Sequence, residues 1–334
     1  MPRSHDGFIR LILVQPFVEH VARSGVDPRP ALATLGLNQQ MLLDPTATVH
    51  AEIVYGLCNA LADLSRTPHL GSEVGQKFDL STWPPIAAAA TASTAVGGFL
   101  INYLMQVPQE SSSVKHALTV QADRARYGVS RLVQTDNPPV QVDGFGIALH
   151  LRLLQMAMGS AWMPQDVLVE TAYPQAVPRG FMGVRLARTE DPALTISFPS
   201  DWLNAQLELR ASAGLPPPTA KEPDMSIVAA LRSAARPLLW DGKLNARDLA
   251  QALGLDQRRL EAALRLHQTT AARELKRLKI EIAQQNLADT TLSISEIGQS
   301  VGYSDQSHFA RFFRSQTGKT PQEYRLSRIA ADRG

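Results

Sequence analysis

The chain has 334 residues, 44% of them hydrophobic and 19% charged, which is too long for one ordinary domain and suggests two. Its lone cysteine, Cys58, excludes internal disulfides and multi-cysteine zinc sites. The net charge of +2 hides an asymmetry: residues 225–334 carry 17 of the 33 basic and 11 of the 31 acidic residues, a balance of +6 against −4 upstream, as expected of a nucleic-acid-binding domain joined to one of another kind.

In chain order, Phe8 to about Arg23 reads as an amphipathic helix, interrupted by Arg10, Gln15 and Pro16. No signal-like cleavage region follows it, and no run approaches the roughly 20 apolar residues of a membrane span, so a cytoplasmic protein with no membrane partner is expected. Asp27 to Gly36 reads as a short helix with proline near its start and glycine at its end, and Met41 to Thr46 as a turn. His50 to Leu64 is a good amphipathic helix. It carries Cys58 in an apolar stretch with no adjacent base to favour a thiolate, which reads as core rather than redox sensor. Ser72 begins a short element that breaks before Trp83-Pro84-Pro85. Within it, Gly71-Ser-Glu-Val-Gly75 resembles a phosphate loop only superficially and reads as a turn before a helix. Ile86 to Met105, nearly uncharged and alanine-rich, reads as a buried helix or helix pair.

Strand signals follow. Ala117–Ala122 and Tyr127–Gln134 alternate by two around Asp123-Arg-Ala-Arg126, a hairpin pattern. Val142 to Met158 is an apolar helix. Val167–Tyr173, Gly183–Ala187 and Leu194–Pro199 read as further strands, and Ser200-Asp-Trp-Leu opens a last helix. The N-terminal part is therefore expected to be α+β. Its tryptophans, like Trp240 further on, read as core more readily than as ligand-stacking groups. Residues 211–224, with three consecutive prolines, read as a semi-rigid linker.

Beyond the linker lies an internal repeat. Ser293 and Glu296 make an S-x-x-E capping box, Ile297 and Val301 share an apolar face, and Gly302 is free to end the helix at positive φ. Tyr303 fills the turn, Ser304 is placed to cap the next helix, and Phe309 and Phe313 form its inward i, i+4 pair. Gln306, Ser307, His308, Arg311 and Arg314 are left on other faces. Upstream by 48 residues, Asn245, Asp248, Leu249, Leu253 and Gly254 repeat the capping box, apolar pair and glycine, and Leu260 matches Phe309 after a one-residue shift. Between the copies, Thr270 to about Leu287 spaces Ala272, Leu275, Leu278, Ile282 and Leu287 as one long helix. Helix, glycine turn and basic second helix is the pattern of a DNA-reading helix-turn-helix. In the second copy Gln306, Ser307, His308 and Arg311 suit base edges, with Arg314 suited to phosphate. In the first, Arg258 and Arg259 are the basic candidates. Glu261 is either an acceptor for a cytosine amino group or a solvated helix position.

The run Gly302-Tyr-x-Asp-Gln-Ser-x-Phe-x-Arg-x-Phe-Arg, with Thr317-Gly318, Pro321 and Tyr324-Arg325, resembles the AraC/XylS family of transcriptional regulators. The resemblance implies an all-α C-terminal domain over 225–334 with two such motifs, about 245–266 and 293–317, joined by a linker helix over about 270–287. More loosely, Ser24-Gly-x-Asp-Pro, Leu35-Gly-Leu, Leu70-Gly-x-x-x-Gly75 and Ile196-Ser-Phe-Pro-x-x-Trp-Leu203 resemble the N-terminal arabinose-binding-like domain of a subset of that family. This implies an effector-binding and dimerisation domain over 1–210. Expected partners are thus operator or promoter double-stranded DNA, a small organic effector, a second copy of the chain and, for an activator, RNA polymerase.

Catalytic signals are missing from the sequence. It holds no G-x-x-x-x-G-K-[ST], G-x-G-x-x-G, G-x-S-x-G or H-E-x-x-H, and its eight histidines lack metal-ligand spacing. No cofactor or metal is expected. The alternative reading is an enzyme or interaction protein whose N-terminal domain is brought to DNA by the C-terminal one.

Overall fold

The computed structural model describes residues 7–44, 47–80, 83–209, 226–239, 244–290 and 292–331. The linker at 211–224 and Trp240 lie outside them. The chain divides into two compact units, Met1–Ser226 and Ile227–Gly334.

The first unit is α/β. The segment expected as one helix from Phe8 opens instead as a strand, β1 (Phe8–Arg10), passes through a 3-10 turn at Leu11–Val14 and becomes α1 only at Gln15–Arg23. The reason is tertiary: β1 pairs antiparallel with β2 (Thr48–His50), and such three-residue strands leave no alternation to read. Between them come α2 (Arg29–Thr34) and α3 (Gln39–Leu42). The latter, capped by Asn38, occupies part of the expected turn at 41–46, whose Pro45 and Thr46 lie outside the described residues. Next is α4 (Ala51–Ser65), where the His50 ring accepts the Glu52 amide as an N-cap.

Helix α5 (Leu70–Lys77) contains Gly71 and Gly75, so these glycines belong to a helix and not to a turn before one. Their role is close approach. A Cβ on Gly71 would overlap the Gln141 carbonyl, and one on Gly75 would lie 2.8 Å from the Phe145 oxygen. The Ile86–Met105 stretch is a helix pair, α6 (Pro84–Thr91) and α7 (Val96–Gln106). The hairpin β3 (Val114–Gln121) and β4 (Arg124–Arg131) turns tighter than expected, closing over Ala122 and Asp123 alone, with Ala122 at positive φ. After α8 (Val140–Met158) come β5 (Leu168–Thr171), β6 (Arg185–Arg188) and β7 (Leu194–Pro199). The five strands form one sheet in the order β3-β4-β7-β5-β6, antiparallel except for β5–β6.

This unit has two apolar cores. One joins the sheet to α6, α7 and α8 around Phe99, Ile147, Leu151, Ile196 and Phe198. The other joins β1, β2, α1, α2, α4 and α5 around Leu11, Phe17, Tyr55, Leu57 and Leu61. Phe145 on α8 touches both.

Among its described residues the second unit is all-helical. Its described elements are α9 (Ile227–Ala235), α10 (Ala246–Ala252), α11 (Gln257–Leu266), α12 (Ala271–Asp289), α13 (Ile294–Ser300), α14 (Gln306–Thr317) and α15 (Pro321–Ala331). The repeat is visible in the coordinates. Complete capping boxes open α10 and α13, and Gly254 and Gly302 follow them at φ 71° and 82°. Leu249, Leu253 and Leu260 are fully buried, as are Ile297, Val301 and Phe309. Helix α14 is capped by Asp305, whose carboxylate accepts the His308 amide at 2.8 Å, and not by Ser304. Asp256 does the same for α11. On α12 the inward stripe is Ala271, Glu274, Leu278, Ala283 and Leu287, while Ala272 is exposed and Leu275 and Ile282 are only half-buried. Tyr324 packs edge-on against Phe313, and Arg325 donates to the Leu292 carbonyl at 2.6 Å, which ties α15 to the turn before α13.

Candidate nucleic-acid interface and an interior cavity

Among the described residues, two places are candidates for function, one in each unit.

In the second unit, α14 is amphipathic in a specific sense. Burial of Phe309 and Phe313 against Ile297, Val301, Ala283 and Leu287 fixes its rotation. That rotation leaves Gln306, Ser307, His308, Arg311 and Arg314 exposed, all five as the sequence phase predicts. Neither guanidinium hydrogen-bonds or ion-pairs with another described residue, so both forks are presented outward. The Asp305 cap spends a carboxylate at the start of this helix on backbone amides, and that bonding holds its carboxyl below the usual range.

Helix α11 presents a different surface. Arg258, Arg259 and Glu261 are all exposed. Arg258 makes no hydrogen bond or ion pair with a described residue, Arg259 lies 3.5 Å from the Asp256 carboxylate, and Glu261 accepts from Gln257 at 2.7 Å along its own helix. Of the three, Arg258 is the group held least by its neighbours.

In the first unit a cavity of about 150 Å³ opens where the two cores meet. Phe17, Val54 and Tyr55 come from one side, and Tyr103, Leu149 and Leu194 from the other. Sequence reasoning identified no ligand site here, because positions 17 to 194 meet only through the fold. The one available signal was a set of polar side chains inside apolar elements: His116, Arg131, Asp143 and His150.

Those polar groups form two clusters. In one, the Arg131 guanidinium pairs with the buried Asp143 carboxylate, donates 2.8 Å to the Pro192 carbonyl, and lies 5.7 Å from the centre of the Tyr55 ring. Burial raises the Asp143 carboxyl against the pull of Arg131. In the other, His150 Nδ1 donates to the Gly146 carbonyl at 2.7 Å, because that oxygen can only accept. His150 Nε2 is then the acceptor for the Tyr127 hydroxyl at 3.1 Å, and Tyr127 Oη in turn receives His116 Nδ1 at 2.6 Å. Burial pulls His150 down to about 4; burial and the nearby His150 pull His116 down to about 3. Both rings are neutral at physiological pH. At the cavity margin Glu110 pairs with Arg10 at 2.8 Å, and burial lifts its carboxyl above the ordinary value. Cys58 also lines the cavity, with its thiol pushed up by burial, so it is a protonated apolar group. Trp83 lines the cavity as well, a place the sequence reading assigned to core.

Among the described residues no cluster of His, Cys, Asp and Glu could hold a metal ion, and no helix is long and apolar enough to cross a membrane.

Comparison with known proteins covers both units. Residues 25–207 match the family model described as the arabinose-binding domain of AraC transcription regulator, N-terminal, and residues 249–327 match a helix-turn-helix domain. The ornithine utilization regulator of Pseudomonas aeruginosa is 26% identical over 327 residues, 93% of this chain and 94% of that protein. The transcriptional activator NphR of a Rhodococcus species is 33% identical over 87 residues, which is 26% of each chain. Among solved structures, the transcriptional regulator CdpR from Pseudomonas aeruginosa covers 94% of this chain and 98% of its own at 16% identity, with a TM-score of 0.40. A first unit matched over most of its length by the arabinose-binding domain, followed by a helix-turn-helix domain on a basic helical unit, identifies the chain as a member of the AraC family of transcriptional regulators, in which an effector-binding domain controls a DNA-binding one.

Proposed function

We propose that α13–α14 is the base-reading helix-turn-helix, with Gln306, Ser307, His308 and Arg311 on base edges and Arg314 on a phosphate. The observation that carries this is the outward row on α14: five polar or basic side chains left exposed on a helix whose other face is fully buried. Helices α10–α11 form a second such motif, contributing Arg258 and Arg259, with Glu261 held along its own helix. Helix α12, with 19 residues at 1.5 Å each, is about 28 Å long. This suits two reading helices about one DNA turn apart, roughly 34 Å. The assembly is a cytoplasmic homodimer of chains divided as 1–210, 211–224 and 225–334, with the effector in the cavity of the first unit and, at activated promoters, RNA polymerase as a further partner. Binding and release are the whole of its chemistry, with no catalytic step.

Fluorescence anisotropy of the full chain on DNA from upstream of its own gene tests the reading. A site retained against random competitor, with log affinity falling by about 0.9 per phosphate neutralised for each tenfold rise in salt, is the expected result. Equal affinity for random DNA, with and without candidate effectors, would exclude sequence reading.

A further inference from the structure

The cavity between the two N-terminal cores carries chemical information about what it receives. Three of the residues that line it carry a buried polar atom with no hydrogen-bond partner: Tyr55 Oη, Trp83 Nε1 and Arg131 Nε. Each can donate, and the indole and guanidinium nitrogens can only donate. Tyr55 is 1% exposed, and although Ser113 and Arg131 lie close enough to its hydroxyl to pull its phenol down against the rise that burial imposes, no bond of normal geometry forms. Buried donors without acceptors are rare in folded proteins and point to an absent partner.

The charges point elsewhere. Both acidic side chains in the lining already have cationic partners, Asp143 with Arg131 and Glu110 with Arg10, and both histidines are neutral. The lining therefore offers no uncompensated charge to a carboxylate, an ammonium group or a zwitterion, and desolvating such a group there is costly. A polyhydroxylated sugar fits no better, because its many hydroxyls would meet mostly aliphatic and aromatic walls. Those walls include Phe17, Trp83, Tyr103 and Phe145, with Trp83 edge-on to Tyr103 at 6.0 Å and Phe17 5.4 Å from Phe145. Ring edges and faces of this kind favour another ring. A volume of about 150 Å³ is that of an apolar cavity that takes a benzene-sized guest.

We propose, building on the reading of this unit as effector-binding, that the cavity binds an uncharged single-ring aromatic compound carrying an oxygen acceptor, for which the Tyr55 hydroxyl and the Arg131 and Trp83 N–H groups are the unsatisfied donors. The acceptor orients the ring between the two cores. Selectivity comes from the paired charges, which exclude ionic analogues of the same size.

Calorimetric titration of the full-length protein with acetophenone tests this, with benzoate, benzylamine and arabinose as size-matched probes of charge and polarity. Saturable binding of one acetophenone per chain is expected, at least tenfold tighter than any of the other three. Tyr55→Phe keeps the ring and removes one donor, and should weaken binding about 5- to 10-fold. Gly146 lines the cavity, and a Cβ there would make only an ordinary 3.6 Å contact with Leu194, so Gly146→Leu extends into the cavity and should abolish binding. Melting curves of both variants establish that they are folded. Tighter binding of benzoate, benzylamine or arabinose, affinity unchanged by both substitutions, or no binding of acetophenone at all would overturn the assignment. Operator affinity measured on the same samples separates the two readings. Acetophenone bound in the cavity without effect on the operator supports the ligand class and refutes the effector role. An operator response to another compound, with no cavity binding of acetophenone, does the reverse.

Discussion

Arg311 and Arg314 stand three residues apart on one helix, yet they are assigned different work. Arg311 follows the polar row that begins at Gln306, whereas Arg314 lies in the last turn of α14. Replacing Arg311 with Ala should cost about 1–3 kcal/mol on the specific site and relax sequence preference there. Replacing Arg314 with Ala should weaken specific and random DNA alike and lower the salt slope by about 1. Competition binding against a randomised site library distinguishes them, and a uniform loss from Arg311→Ala would move that residue to the phosphate class. These positions were legible in the sequence because two buried phenylalanines fix the rotation of a single helix, so exposure follows from local spacing alone. The donors in the cavity were not legible. Tyr55, Trp83 and Arg131 lie on different elements, and no local pattern links a helix residue near position 55 to a strand residue at 131.

At the level of elements, caps and turns tell a similar story. Both capping boxes of the repeat could be read because each is a four-residue signal that closes on itself. The cap of α14 could not be read as surely, because Ser304 and Asp305 are adjacent residues of equally good type and the turn length decides between them. The first copy points to the answer: Asp256 and Asp305 both cap the helix that follows the glycine turn, and only the one-residue shift obscures the match. Asp305→Ala should therefore destabilise the second unit by about 1 kcal/mol. Ser304→Ala should stay within about 0.5 kcal/mol, as surface changes do. Denaturant unfolding of the two variants side by side measures the difference, and equal effects would show that the turn tolerates either cap. The strands β1 and β2 were missed for another reason. Three residues are too few to show a period of two, and their pairing joins positions 8–10 to 48–50, a contact that only the finished core enforces.

For the whole molecule, composition and charge asymmetry conveyed two units of different character, and the repeat conveyed the capped helices and glycine turns of the second. What they could not convey is the seam in the first, where two cores meet around buried ionisable groups. That seam makes stability depend on pH with a definite sign. His150 is neutral in the folded chain, with burial holding its pKa down to about 4, whereas an unfolded histidine titrates near 6.5. The unfolded state therefore binds the extra proton as pH falls between those values. Stability is complete above about pH 6.5 and declines toward pH 4, by on the order of 3 kcal/mol for this ring alone. Thermal unfolding followed across that range should show the melting temperature falling on the acid side, with His150→Gln flattening the fall. A melting temperature independent of pH from 7 to 4.5 would mean that the ring charges without cost.

Helix α8 contributes Val142, Asp143, Phe145, Gly146, Leu149 and His150 to one wall of the cavity. The same helix meets α5 through bare backbone, with Gly71 and Gly75 against Gln141 and Phe145, and its own Gly144 against the Ala176 carbonyl. A contact made of main-chain atoms has no rotamers with which to give way. This wall is in effect the fixed jaw of a vice. Leu13, Val14 and Phe17, from the 3-10 turn after β1 and from α1, line the cavity as well, through side chains that can repack. Filling the cavity is therefore expected to displace the side chains of residues 11–23 more than the backbone of α8.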